Sequence, residues 1–446
     1  MPSLREDLSK TLRLAAPVAV SQVGMLAMGL VDTLLVGRLG PTELAAVALG
    51  DALYFSFAVF AVGLIMSLDP LISQAYGAQD PERASEAYRL GRWLALGLSL
   101  PVFGLVVSIE PALRALTAID REVVTLCGDY VTTRSLALAP SMLYMADRCF
   151  LRSLGETRPA MVITLFAIAL NAGLSYLLIF GAGPLPPLGV AGAALATAGC
   201  RLSMFAALHL WTRRARYAPY RRLRRPSWEL GKKAVWVGLP MGFSHSSEVG
   251  AFAVASLIVG HVGVVALASH QITIKMSSAS FMFAIAIGTA AGIRVGHAVG
   301  RGTPELAYRA AWVGIGLGLV GMSCSAGLFL GGGALIARAF TLDPGVIALT
   351  TTLLSIAAAF QLSDGCQAIA AGALRGAGQT GWPFVANVCA HWGFALPLAY
   401  VWALFWGGGA QAVWWSMALG LTGTAAVLLW RVTYLKDLRL ASQIPK

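Results

Sequence analysis

Ala234-Val-Trp-Val-Gly-Leu-Pro240-Met-Gly-Phe-Ser-His245-Ser-Ser-Glu248-Val-Gly-Ala-Phe-Ala-Val-Ala-Ser-Leu-Ile-Val-Gly260 is long and apolar enough to cross a bilayer as one helix. Roughly 20 residues at 1.5 Å rise suffice for that. Inside the run sit a proline, Pro240, and a single carboxylate, Glu248. An acid at that depth costs about 2.5–3.5 kcal/mol on insertion scales, so it faces a cavity or a partner. A span that keeps one acid beside a helix breaker is the first candidate for a coupling site.

Composition places the rest of the chain in the same setting. Of 446 residues, 57% are hydrophobic and 12% charged, against about 25% charged in soluble domains. No cleavable leader is expected, because Arg5, Glu6, Asp7 and Lys10 precede a full-length apolar run with no small-residue cleavage site. The six scattered cysteines form no C-x-x-C pair and read as small packing residues. Net charge is +12, with nine basic residues between Arg213 and Lys233, in one short loop between apolar runs. That placement reads as orientation charge with membrane-lipid contact as a secondary use, and argues against nucleic acid.

The apolar pattern predicts an all-α integral membrane protein of twelve spans, near 14–37, 44–68, 88–110, 123–147, 159–181, 188–212, 234–259, 264–291, 307–333, 345–372, 382–405 and 410–434. Of the 33 Lys and Arg, 26 fall on the side of the termini, 4 on the other and 3 within spans. The positive-inside rule then places both termini in the cytoplasm and the chain in the cytoplasmic membrane. A shift of 223 residues aligns 17–91 with 240–314 without a gap, with 18 of 75 positions identical. The same shift pairs Leu151-Arg152 with Leu374-Arg375 and Gly155 with Gly378. The chain therefore reads as a duplication, with an N-lobe over 1–212, a basic linker over 213–233 and a C-lobe over 234–446. Six spans per repeat give both halves the same orientation, with a binding site expected where they meet.

The ionisable groups within spans are Asp32, Asp51, Arg134, Arg201, Glu248, Lys275 and Asp364. Arg134 and Arg201 fit structural ion pairs as readily as functional roles; Glu248 and Asp364 read as functional. Glu248 and Lys275 lie at matching depths, roughly 17 Å from their shared outer turn, which allows a salt bridge. Asp32 and Asp51 stand in a similar relation nearer the surface. Under the 223 shift Glu248 pairs with Met25 and Asp32 with Ala255, so the halves carry their acids at non-equivalent places.

Several motifs fail on context. Gly316-Leu-Gly-Leu-Val-Gly321 has the G-x-G-x-x-G spacing but sits mid-span with no preceding strand, and reads as a helix-packing surface. His245-Ser-Ser-Glu248 lacks the further ligands a metal would need, so His245 reads as a hydrogen-bond neighbour of the acid. No P-loop, no nucleophile–base spacing and no cofactor motif is present, so the chain is expected to be no enzyme and to hold no cofactor beyond a coupling ion.

These residues also resemble a known family. Met28-Gly-Leu-Val-Asp32-Thr-Leu-Leu-Val-Gly37 resembles the first-helix signature of multidrug and toxic compound extrusion (MATE) transporters. Gln74-Ala-Tyr-Gly-Ala78 resembles their loop after the second helix, and Leu151-Arg-Ser-Leu-Gly-Glu-Thr-Arg-Pro159 and Leu374-Arg-Gly-Ala-Gly-Gln-Thr380 the motif after the fourth and tenth. Leu267-Ala-Ser-His-Gln271 and Ile293-Arg-Val-Gly-His-Ala-Val-Gly300 are most similar to the NorM-type bacterial branch. The resemblance implies two six-helix lobes forming a V that opens alternately outward and inward. It also implies export of small, mostly cationic organic compounds in exchange for H⁺ or Na⁺.

By motif, the resemblance makes Glu248 and Asp364 (in Gln361-Leu-Ser-Asp364) the cation site of the C-lobe, where Na⁺ is one possible occupant. It makes Asp32 the first-helix aspartate used for proton coupling, Pro17 the bend of that helix with Pro240 its repeat counterpart, and Asn171 an asparagine of the fifth helix. Two departures bear on the ion. Phe360 replaces a tyrosine and removes one oxygen, and Lys275 adds a cation where a neutral residue is usual. Both favour H⁺ over Na⁺. Met25, Phe57, Met276 and Phe281 are the expected substrate-cleft side chains, suited to varied apolar cations. A lipid-linked oligosaccharide flippase would want more intramembrane arginine, and a polytopic membrane enzyme paired Asp-rich motifs. One chain is expected to suffice for function.

Overall fold

The structure, a computed structural model, describes residues 3–117, 119–181, 186–221 and 226–440; residues 222–225 of the expected linker lie outside them. The regular elements among the described residues are all helical. In the first half they are α1 (Leu4–Val36), α2 (Pro41–Ile65), α3 (Leu68–Gly77), α4 (Pro81–Val107), α5 (Ile109–Leu116), α6 (Arg121–Ser135), α7 (Leu138–Ser153), α8 (Arg158–Phe180) and α9 (Gly189–Thr212). The second half holds α10 (Trp228–Val262), α11 (Val264–Gly300), α12 (Pro304–Phe340), α13 (Pro344–Gly376), α14 (Gly381–Val388), α15 (Leu396–Tyr400) and α16 (Gly409–Thr433). Around α15 the turns widen to π-helix over Cys389–Ala395 and Val401–Phe405.

Local chemistry explains the punctuation. Pro41, Pro81, Pro304 and Pro344 open helices, where a missing N–H is harmless. Asp80 and Asp343 cap theirs by accepting from the backbone N–H of Arg83 and Val346, each at 2.9 Å. The repeated Leu-Arg-x-x-Gly motif is a helix stop used twice. Gly155 and Gly378 have φ of +86° and +81°. The residues after them, Glu156 and Gln379, donate back to the carbonyls of Leu151 and Leu374 at 2.9 Å. This is the Schellman closure, and the left-handed residue in it calls for glycine.

Ten helical segments among the described residues are long and apolar enough to cross a membrane. The other two expected spans are helical but more polar. α10 carries His245-Ser-Ser-Glu248, and the broken pair α6–α7 carries Asp129, Arg134, Asp147, Arg148 and Arg152. Pro17 and Pro240 lie inside α1 and α10.

Two compact units emerge, and their limits differ from the expected lobes. One comprises Met1–Ala19, Ser73–Gln79 and Phe243–Lys446, the other Val20–Ile72 and Asp80–Gly242. The start of α1 joins the first unit because the Asp7 carboxylate pairs with Arg294 and Arg309. The end of α3 joins it because Gln74 donates to the Gly376 carbonyl at 2.9 Å. In this unit α13 is central, packing against α11, α12 and α16. The crossing of α11 and α13 is backbone on backbone: a Cβ at Gly288 would lie 2.9 Å from the Ala368 carbonyl oxygen, and one at Gly372 or Gly376 would overlap α11. In the other unit α2 packs on α6, α4 on α7, and α9 on α6, α7 and α8. Of Gly316, Gly318 and Gly321, only Gly318 serves packing, against Ile369; the other two face open space, so the expected glycine surface is reduced to one position.

Candidate functional site

In the unit containing α13, Asp364 is buried one turn beyond Phe360 and Gln361. Glu248, on α10, is half-buried. The two carboxylates lie within electrostatic range of one another. The cation that reaches Glu248 is Arg375, on the same face of α13 as Asp364 and three turns further along. Its Nη1 is 3.3 Å from His245 Nε2. Asp364 and Arg375 of α13 and Glu248 and His245 of α10 thus interact as one group.

Lys275 is in no ion pair with Glu248 among the described residues, the pairing that matching depth had left open. It is exposed on α11, between the buried Thr273 and Ser277. Residues four apart share a helix face, and a residue midway between them points the opposite way. His245 likewise has Arg375, not Glu248, as its partner. Arg375 is the residue that sequence reasoning missed, although the repeat held the signal. Its counterpart Arg152 forms an ion pair with Asp69, using both Nε and Nη2. The counterpart of Asp69 is Gly292. The second half keeps the arginine and lacks that acid.

Apolar and polar groups close the neighbourhood. Phe360 is buried, its ring 5.6 Å from Trp414 and 6.4 Å from Phe252, so the position contributes no oxygen. Gln361 donates to Ser280 on α11, while its Oε1 lacks a hydrogen bond. Asn387, at the end of α14, and His391, on the π-helical segment after it, are buried with the Asn387 side-chain amide and His391 Nε2 unpaired. π-Turns inside α-helices recur at functional sites. Met276 packs against the cluster containing Phe360, and Phe281 against Ala284, Met322 and Ala368; both are half-buried.

The second unit gathers a different set. Asp32 is buried and accepts from Ser175 Oγ at 2.8 Å and Thr197 Oγ1 at 3.1 Å. Asn171, one turn before Ser175 on α8, is the other polar side chain beside Asp32. Asp51 stands apart from this set, paired with Arg134 and accepting from Tyr130 Oη at 2.8 Å; Arg134 also lies 4.5 Å over the Tyr54 ring. Arg134 is thus held in an ion pair. Met25 is half-buried and receives Arg148 Nη1 at 3.8 Å on sulfur, and Phe57 is half-buried.

The MatE family profile matches residues 17–177 and again 240–401, two stretches whose starts are offset by the repeat. The chain belongs to the MATE family. Among relatives of this MATE chain, a probable multidrug resistance protein NorM from Bradyrhizobium diazoefficiens is 35% identical, covering 96% of this chain and 93% of its own length. Multidrug resistance protein NorM from Burkholderia vietnamiensis is 36% identical over 96% and 94%. PmpM, a multidrug resistance protein of Pseudomonas aeruginosa, is 35% identical over 96% and 92%. The fold matches the eukaryotic MATE transporter AtDTX14 with a TM-score of 0.90 over 99% of both chains at 19% identity. It matches a MATE structure in the bent conformation at 0.89 over 98% of both at 21%. This MATE chain is accordingly a NorM-type, multi-pass membrane transporter.

Proposed function

We propose that this chain is a multidrug efflux antiporter of the cytoplasmic membrane, exporting small, mostly cationic organic molecules in exchange for protons. The observation that carries the reading is the pair Glu248 and Asp364, two carboxylates within electrostatic range on helices of a membrane transporter. Acids at membrane depth are costly, and they mark ion and substrate pathways. A proton arriving from outside binds the pair and halves its charge, the elements that carry it repack, and substrate leaves outward. The work comes from the different affinities of ion and substrate for the two states.

The choice of proton over Na⁺ rests on two features. Na⁺ wants several oxygens and no cation beside them, whereas Phe360 offers none and Arg375 already stands within range of Glu248. In the other unit, Asp32 with Ser175, Thr197 and Asn171 is the second candidate proton site. Both termini are assigned to the cytoplasm on the distribution of basic residues, and one chain is taken as the functional unit. In inside-out vesicles, an imposed pH gradient is expected to drive ethidium uptake and a Na⁺ gradient at constant pH is not. Uptake driven by Na⁺ alone overturns the ion assignment, and no uptake under either gradient overturns the antiport reading.

A further inference from the structure

Where the first turns of α1 meet α11 and α12, a cavity of about 530 Å³ is lined by Lys10, Arg13, Arg294, Arg301, Arg309 and Asp7. Five fixed cations stand against one carboxylate there. Asp7 is buried and already committed to Arg294 and to Arg309, whose Nε lies 2.7 Å from Oδ2. Arg294 Nη1 also donates to Thr11 Oγ1 at 2.6 Å and to the Asp7 carbonyl at 3.0 Å, so the cavity wall is braced. Lys10, Arg13 and Arg301 have no acid partner among the described residues. Such an excess of positive charge attracts a multiply bonded anion, and arginine forks match phosphate oxygens.

Arg309 also lines a second cavity, of about 880 Å³. This one is largely apolar, with Leu4 and Leu8 of α1 facing Tyr308, Trp312, Gly316 and Leu317 of α12. Glu305 and Lys436 line it too and offset each other in charge. From Arg309 to Leu317 the helix rises roughly 12 Å. No neighbouring atom lies within 4 Å of a Cβ built at Gly316, which leaves room for a chain alongside α12. A cationic cup that shares one lining arginine with an apolar groove is amphipathic in the way a phospholipid is.

We infer that these two cavities form one site for an anionic phospholipid, with the phosphate among Lys10, Arg13 and Arg301 and an acyl chain along Leu4, Leu8 and Trp312. The inference rests on the chain's membrane setting and is independent of the coupling carboxylates. Basic pockets between membrane helices hold headgroups in this way, each Lys or Arg being worth about 1 kcal/mol near the surface, or roughly fivefold in affinity.

The test is native mass spectrometry of the full chain in detergent with phosphatidylglycerol, with phosphatidylcholine of the same acyl chains, and with inorganic phosphate. Selective retention of phosphatidylglycerol is expected, with a weakening of about 100-fold in the triple variant Lys10→Gln, Arg13→Gln, Arg301→Gln. Gly316→Phe, which fills the groove, is expected to weaken phosphatidylglycerol and leave phosphate untouched. Glu248→Gln is expected to lose efflux and keep the lipid, which separates this site from the proposed function. Equal retention of the two lipids by the unsubstituted protein, or unchanged retention by both cavity variants, overturns the proposal. Phosphate binding as tightly as the lipid marks the site as one for a free anion and overturns it as well.

Discussion

Arg152 and Arg375 stand 223 residues apart at equivalent places in the repeat. Arg152 is a structural tie: it holds Asp69 in a two-point pair with 5% of its side chain exposed. Arg152→Ala leaves that acid unmatched and is expected to destabilise by roughly 3 kcal/mol, read as a lower unfolding temperature in detergent. Arg375 faces His245 and Glu248 instead, so Arg375→Gln is expected to change transport more than stability. Efflux driven by a pH gradient should fall about tenfold, the equivalent of 1.4 kcal/mol, and Na⁺ should begin to stimulate it. A variant with unchanged ion dependence would remove Arg375 from the site. The acids themselves were legible in the sequence, because an acid within an apolar run is conspicuous. The partner of Glu248 was not, because matching depth favoured Lys275 while helix phase turns that side chain away. Comparing the repeats position by position, down to Asp69 against Gly292, is what would have identified Arg375.

At the scale of elements, α11 and α13 carry the acid pair's surroundings through a crossing too close for side chains. Gly372→Val drives a branched side chain into the α11 backbone. It is expected to cost at least 1–3 kcal/mol, as overpacking does, and to lower the unfolding temperature. Gly378→Ala imposes a Cβ on a left-handed helix stop at φ +81° and should cost about 1 kcal/mol. Normal stability of the Gly372 variant would contradict the tight crossing. The spans were legible because ten of them are apolar enough to announce themselves. α10 was read from its own apolar run and α6–α7 from the apolar pattern around it, although their polar residues make both more polar than the other ten. The π-turns around α15 leave no mark that the apolar pattern reveals.

For the whole molecule, the duplication was written in the sequence, and the family profile repeats at the same offset. The grouping of residues 1–19 with the second half was not, because the partners of Asp7 lie nearly three hundred residues away in Arg294 and Arg309. A transporter of this family does work only if ion and substrate favour different states of one machine. For one proton exchanged without net charge movement, a one-unit pH difference supplies about 1.4 kcal/mol and so about a tenfold substrate gradient. Proteoliposomes holding the purified protein, with that pH step imposed at fixed Na⁺ and zero membrane potential, measure this directly. Ethidium accumulation near tenfold is predicted for the unsubstituted chain and none for Glu248→Gln combined with Asp364→Asn. Equal accumulation by the double variant, or accumulation that follows Na⁺ and ignores pH, would contradict proton coupling through this carboxylate pair.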